Sequence, residues 1–122
     1  MRILLAEDNP IVAEGLVTLL RGSGYAVDLV GDGLSADLAI AAENFDLVIL
    51  DLNLPEMDGL EATRIIRANS GKQPQIVAMT ANAMPEDREV CLQAGMDDYI
   101  SKPINLDTLI GILKKAAEQL IS

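Results

Sequence analysis

Apolar residues in this chain gather into short runs separated by stretches of helical spacing. The clearest run is Leu47-Val48-Ile49-Leu50, which leads without a break into Asp51. An unbroken apolar run reads as a strand buried on both faces, as in a parallel sheet covered by helices. Arg2 to Glu7, Asp46 to Asp51 and Gln75 to Thr80 fit that description, and Asp97 to Ser101 is a shorter version. Tyr25 to Val30 alternates instead and reads as an edge strand.

Between these runs the period changes. Asn9 caps a first helix with Pro10 at its first position, and Val12, Leu16, Leu19 and Leu20 mark its inner face. Gly22-Ser23-Gly24 ends it. Gly31-Asp32-Gly33 is a turn before an Ala-rich helix from Leu34 to Glu43. After the loop Leu54 to Gly59, a third helix carries Leu60, Ile65 and Ile66 and fades at Asn69-Ser70-Gly71. Pro85 to Ala94 forms a fourth, closed by Gly95 as a left-handed cap. Asn105 or Asp107 opens the last, with Leu106, Leu109, Ile110, Leu113, Ala117 and Leu120 inward and Lys114, Lys115 and Glu118 toward water. Strands and helices in strict alternation imply an α/β domain: a doubly wound (βα)5 unit with a parallel sheet and right-handed crossovers. No repeat or linker interrupts it, so residues 1–122 are expected to form one domain.

Composition narrows the partners. The formal charge is −10, and no basic cluster is available to neutralise a nucleic-acid backbone or an anionic membrane. An acidic surface suits a cation such as Mg2+ or a basic protein patch. Cys91 is the lone cysteine, so a reducing, cytoplasmic setting is expected. With no histidine to activate it, Cys91 reads as a small core residue. The start has no signal-peptide pattern, and no apolar run approaches membrane-spanning length.

What changes the picture is where the polar residues stand. The first strand ends in Glu7-Asp8, the third in Asp51 and the fourth in Thr80, and the fifth leads to Lys102. Open α/β sheets bind ligands at this carboxyl rim, where strand order reverses. Each residue also has a plainer reading. Asp51 and the asparagines Asn53 and Asn82 suit turns, Asp8 suits a helix cap, Thr80 is β-branched, and Lys102 suits solvent. Together they form a pattern with a chemical use. Like charges 4 Å apart repel by about 4 kcal/mol at an effective dielectric of 20. A knot of acids therefore calls for a counter-ion, and Mg2+ is the hard cation that pairs with carboxylates and phosphate oxygens. Asp51 would then attack a phosphoryl group and form an acyl phosphate, with Lys102 and Thr80 on its oxygens.

The motifs carry a resemblance across nearly the whole chain. Leu5 to Asn9, Ile49 to Gly59, Met79 to Ala83, Ala94 to Tyr99 and Ser101-Lys102-Pro103 together resemble a two-component response-regulator receiver domain. The resemblance implies the flavodoxin-like strand order 2-1-3-4-5, for which a member of this family is a standard example. It implies that Asp51 accepts phosphoryl from a phosphohistidine on a sensor histidine kinase or a histidine phosphotransfer protein. Asp8, Asp51 and the backbone carbonyl of Asn53 would hold Mg2+, with Glu7 acting through water. Thr80 and Tyr99 would form the switch, and the bond to Pro103 would be cis. Asn53 and Asn82 would tune how long the phosphate survives. The domain would process its own acyl phosphate without being a turnover enzyme. The face made by the fourth helix, fifth strand and fifth helix would signal to a downstream protein or attached domain, with Ala83, Met84 and Ile104 as contacts. Thr80 to Pro85 is more similar to receivers of hybrid sensor kinases than to those fused to DNA-binding modules.

The first helix lies beside the Asp51 rim, so Ile11, Gly15 and Thr18 are candidates for docking the phosphodonor; Ile11 alternatively packs on a neighbouring helix. Three other functions share some of these features. An aspartyl-phosphate phosphatase would place a general acid two positions after its nucleophile, where this chain has Asn53. A flavin binder would cradle phosphate where this chain has Glu7-Asp8. A receiver-like scaffold unable to accept phosphate would not need the full set of rim residues.

Overall fold

A computed structural model describes residues 1–54, 57–68, 73–80, 85–102 and 104–121, with backbone alone at 85–87 and 119–121. The strands are β1 (Arg2–Ala6), β2 (Ala26–Val30), β3 (Leu47–Asp51), β4 (Gln75–Thr80) and β5 (Asp98–Ser101). They alternate with α1 (Pro10–Gly22), α2 (Gly33–Ala42), α3 (Gly59–Ala68), α4 (Pro85–Ala94) and α5 (Leu106–Ile121). All neighbouring strands are parallel, in the order β2-β1-β3-β4-β5. The order reverses between β1 and β3, which opens a crevice at their carboxyl ends.

The unbroken apolar runs follow from the two layers. Ile3, Leu5, Leu47, Ile49, Val77 and Met79 join the core under α1 and α5. Leu4, Ala6, Val48, Leu50, Ile76 and Ala78 join the core under α2, α3 and α4. Both faces of each central strand are therefore dry, so its sequence shows no alternation. The expected edge strand is β2, bonded only to β1. Cys91 is a buried core residue, as expected.

Local signals explain the element ends. The Asn9 side chain accepts the amides of Ile11 and Val12 at 2.9 and 3.3 Å, with Pro10 beginning α1. Gly95 has φ +106°, and a Cβ there would lie 2.7 Å from Arg67 Cγ, so glycine is needed twice over.

Helix faces needed correction. In α5 the buried residues are Leu109, Ile112, Leu113 and Ala116, while Leu106, Ile110 and Ala117 turn outward. Apolar residues at both 109–110 and 112–113 fit two helical stripes, and packing on the sheet selects the second. In α1 the inner residues are Ala13, Leu16 and Leu20, and Leu19 is exposed. In α3, Ile65 also turns out while Ala62, Thr63 and Ile66 are buried.

One buried charge was unforeseen. Asp37 on α2 is 8% exposed, and among the described residues neither carboxylate oxygen has a hydrogen-bond partner. Burial, with a smaller contribution from the Glu61 charge on α3, pushes this carboxyl up to about 6. Its ordinary value is 3.8, so the native form holds an extra proton between those limits. Native stability therefore falls as pH rises across that interval and stays lowered above it. Replacing Asp37 with leucine should add about 1–3 kcal/mol at pH 7.5, the usual cost of an unsatisfied buried polar group. The gain should shrink toward pH 4. Urea unfolding at both pH values checks this, and an equal gain at both would contradict it.

Candidate metal and phosphoryl site

Strand register builds the site. Ala6 pairs with Leu50, so the residues that follow, Glu7 and Asp51, stand side by side at the carboxyl ends of β1 and β3. Each continues the row facing α1 and α5: Ile3, Leu5 and Glu7 on one strand, Leu47, Ile49 and Asp51 on the other. Thr80 pairs with Ser101, and the Lys102 amide donates to the Thr80 carbonyl at 2.8 Å. Glu7, Asp8, Asp51, Thr80 and Lys102 thus share one rim, as expected.

The Glu7 side chain is fully buried. Its Oε1 accepts the Asn9 amide at 3.0 Å. Lys102 Nζ lies 2.8 Å from Oε2 and forms an ion pair with it. Burial raises the Glu7 carboxyl above its ordinary value, and the Asp51 charge adds to this against the opposing pull of Lys102 and the Asn9 amide. Asp51 Oδ2 receives Lys102 Nζ at 2.7 Å, and Oδ1 accepts the Asn53 amide at 2.9 Å. Burial pulls the Lys102 ammonium down, but the hydrogen bonds to Asp51 and Glu7 and the charges of both acids outweigh it and hold the value above the ordinary one. Asp8 is exposed at the mouth of the crevice. Asn9 supplies the side-chain cap of α1, so the plainer reading of Asp8 loses its support.

One carboxylate oxygen each from Glu7, Asp8 and Asp51 lies within 4.8 Å of the others. This donor set fits Mg2+: hard oxygens only, with one acid open to solvent and two held in the crevice. A small cation that keeps several waters needs such a half-open pocket.

The remaining candidates fall into place unevenly. Thr80 is buried at the end of β4. Tyr99 is half-buried in β5, opposite Ala78, and packs on the core beneath α3 and α4. Asn53 is exposed in the loop after β3, and Ile104 is half-buried. Asn82, Ala83, Met84 and Pro103, with its expected cis bond, lie outside the described residues.

Two participants escaped the sequence reading. The Lys102–Glu7 pair joins residues from opposite ends of the chain, and nothing local announces it. Gly59 begins α3 against the Asp51 backbone, where a Cβ would lie 2.6 Å from the Asp51 carbonyl oxygen. The signal for Gly59 was present in Asp58-Gly59, where Asp58 Oδ1 caps α3 by accepting the Glu61 amide at 2.9 Å.

A five-stranded parallel sheet in this order, with acids and a lysine at its crevice, defines a flavodoxin-like fold with a charged site at its switch point. Comparison with known proteins agrees. Residues 3–114 match the family model described as the response regulator receiver domain. The Sensor protein GacS of Pseudomonas syringae pv. syringae is 42% identical over 118 residues, covering 93% of this chain and 13% of that protein. The Transcriptional regulatory protein TctD of Salmonella typhimurium is 43% identical over 109 residues, covering 89% of this chain and 48% of that one. Among solved structures, the receiver domain of the sensor histidine kinase PA1611 from Pseudomonas aeruginosa PAO1 superposes with a TM-score of 0.86 at 45% identity. The match covers 93% of this chain and 94% of that one, and that structure has a magnesium ion coordinated in its active site cleft. The chain belongs to the response regulator receiver domain family, and its place is in two-component signalling. It spans less than half the length of the curated relatives it matches. Among the described residues no helix is long and apolar enough to cross a membrane.

Proposed function

We propose that the chain accepts a phosphoryl group on Asp51 from the phosphohistidine of a sensor histidine kinase or histidine phosphotransfer protein. The observation that carries this is the buried Asp51 carboxylate held between Lys102 and the Asn53 amide, beside Glu7 and Asp8. Asp51 Oδ attacks phosphorus, an O–P bond forms and the N–P bond breaks, its electron pair staying on the histidine ring, which carries a proton on its other nitrogen and so leaves as neutral imidazole. Bound Mg2+ supplies charge neutralisation for the transferring group. Asp8, Asp51 and the Asn53 carbonyl would hold it, with Glu7 acting through water. Lys102 exchanges its bond to Asp51 for one to a phosphoryl oxygen, and Thr80 donates to another.

That exchange removes a charge-assisted bond from the resting state and creates new ones, which biases a two-state element. Thr80 moves toward the phosphoryl group and Tyr99 turns into the space left. The face of α4, β5 and α5 then carries the signal to a downstream protein or attached domain. The domain acts once per phosphoryl group received and hydrolyses only its own acyl phosphate, so it is not a turnover enzyme. Its setting is cytoplasmic, with no direct nucleic-acid or membrane contact.

The donor would dock beside α1. Ile11, Val12, Gly15, Leu16, Leu19 and Ile104 line a groove of about 480 Å3 that ends at Lys102. Ile11 is 82% exposed and packs on no neighbouring helix to any extent that hides it. An apolar helix face presenting a phosphohistidine fits there beside the acceptor.

The test is uptake of phosphoryl from a small phosphodonor, read by intact mass. One group should be added with Mg2+ present and none after chelation. Uptake that ignores chelation, or none at all, would overturn the reading.

A further inference from the structure

The acids of the metal site stand on two different segments, the end of β1 and the end of β3, and the structure contains a strut between them. The Glu7 amide donates to the Val30 carbonyl at 3.0 Å, tying the first acid to the end of β2. Three residues on, Gly33 is buried at the start of α2, and its Cα rests against the carbonyl group of Met57. A Cβ at this position would overlap the Met57 oxygen and come within 2.8 Å of its carbonyl carbon, both backbone atoms with no rotamer to yield. Met57 belongs to the loop that leaves Asp51 and carries Asn53. That loop is closed at its far end by the Gly59 amide, which donates to the Leu52 carbonyl at 3.2 Å.

The strut is stiff. Asp32 Oδ1 accepts the Ser35 amide at 2.6 Å, Asp32 Oδ2 accepts the Ser35 hydroxyl at 2.9 Å, and the Ala36 amide donates to the Asp32 carbonyl at 3.2 Å. The first turn of α2 is thereby fixed in shape and pressed against the Asp51 loop, while its other end is hydrogen-bonded to Glu7.

We infer that the β2–α2 turn sets the spacing between the two halves of the cation site, and that Gly33 is its positioning residue. No side chain of the turn touches the cation. The turn acts by holding the backbone around Met57, and through it the start of the loop at residues 52–54, at a fixed distance from Glu7 and Asp8. A divalent cation with strict coordination distances is sensitive to such a shift, because its ligands come from both sides. The inference rests on the proposed metal site for its consequence, and on backbone contacts alone for the strut itself.

Three variants test it: Gly33→Ala, Asp32→Ala, and Ala41→Gly as a control that weakens the same helix at an exposed position away from the strut. Mg2+ is titrated by calorimetry, and backbone amide NMR spectra are taken without metal. Gly33→Ala should weaken Mg2+ binding at least tenfold and shift the resonances of Glu7 and of residues 52–54 and 57–59. Ala41→Gly should bind within twofold of the unmodified chain and leave those resonances in place. Should Gly33→Ala not fold, Asp32→Ala carries the test, with at least threefold weaker binding expected. Binding by Gly33→Ala within twofold of normal would overturn the strut, and so would equal weakening by Ala41→Gly. If the unmodified chain binds no Mg2+, the metal reading fails while the metal-free spectra still decide the strut.

Discussion

Asp51→Asn should abolish phosphoryl uptake while leaving the fold intact. The Asp51 carboxylate is buried at the end of β3, bonded by the Lys102 ammonium and the Asn53 amide, with Glu7 and Asp8 grouped beside it. Asparagine keeps the shape, and its carbonyl oxygen can still accept the Asn53 amide, so the β3–α3 loop retains its anchor. What disappears is the nucleophilic carboxylate at the end of β3. Uptake measured by intact mass should fall below detection, while the far-ultraviolet circular dichroism spectrum stays unchanged. An adduct of normal yield on this variant would place the acceptor elsewhere.

Lys102→Ala should give the largest loss of stability in metal-free solution, about 3–5 kcal/mol, the usual cost of breaking a buried ion pair from one side. The side chains of Glu7 and Asp51 are 0% and 4% exposed, so both acids depend on the Lys102 ammonium for charge compensation in metal-free solution. Burial already raises the Glu7 carboxyl, and it would go higher without the lysine. Chemical unfolding with and without Mg2+ separates the two roles of Lys102. A divalent cation should restore more stability to the variant than to the unmodified chain, because in the variant it supplies the only positive charge in the site. A loss below 1 kcal/mol would mean that the pair is effectively solvated.

Legibility followed the range of the interactions. Strands buried on both faces leave an unbroken apolar signature, so their number, order along the chain and polar ends could be read directly. Strand order across the sheet came from resemblance, since no local pattern encodes which strand neighbours which. Helix faces were harder. In α5 two apolar stripes fit the same residues, and only contact with the sheet selects between them. In α2 apolar residues surround the helix, so nothing pointed Asp37 inward. The pairing of Lys102 with Glu7 depends on register between distant strands, and sequence spacing assigned the lysine only to its phosphoryl partner. Gly33 looked like an ordinary turn glycine because the Met57 backbone it meets lies in a different loop.

The central claim is that the rim acids are kept together to hold a divalent cation for phosphoryl transfer. Thermal melting of the unmodified chain and Asp8→Asn, each with and without Mg2+, tests it most directly. At ten times its dissociation constant, Mg2+ should stabilise the unmodified chain by roughly 1.4 kcal/mol. Asp8→Asn should melt higher than the unmodified chain in metal-free buffer, through relief of repulsion, and should not respond to Mg2+. Superimposable melting curves for the unmodified chain with and without Mg2+ would contradict the account.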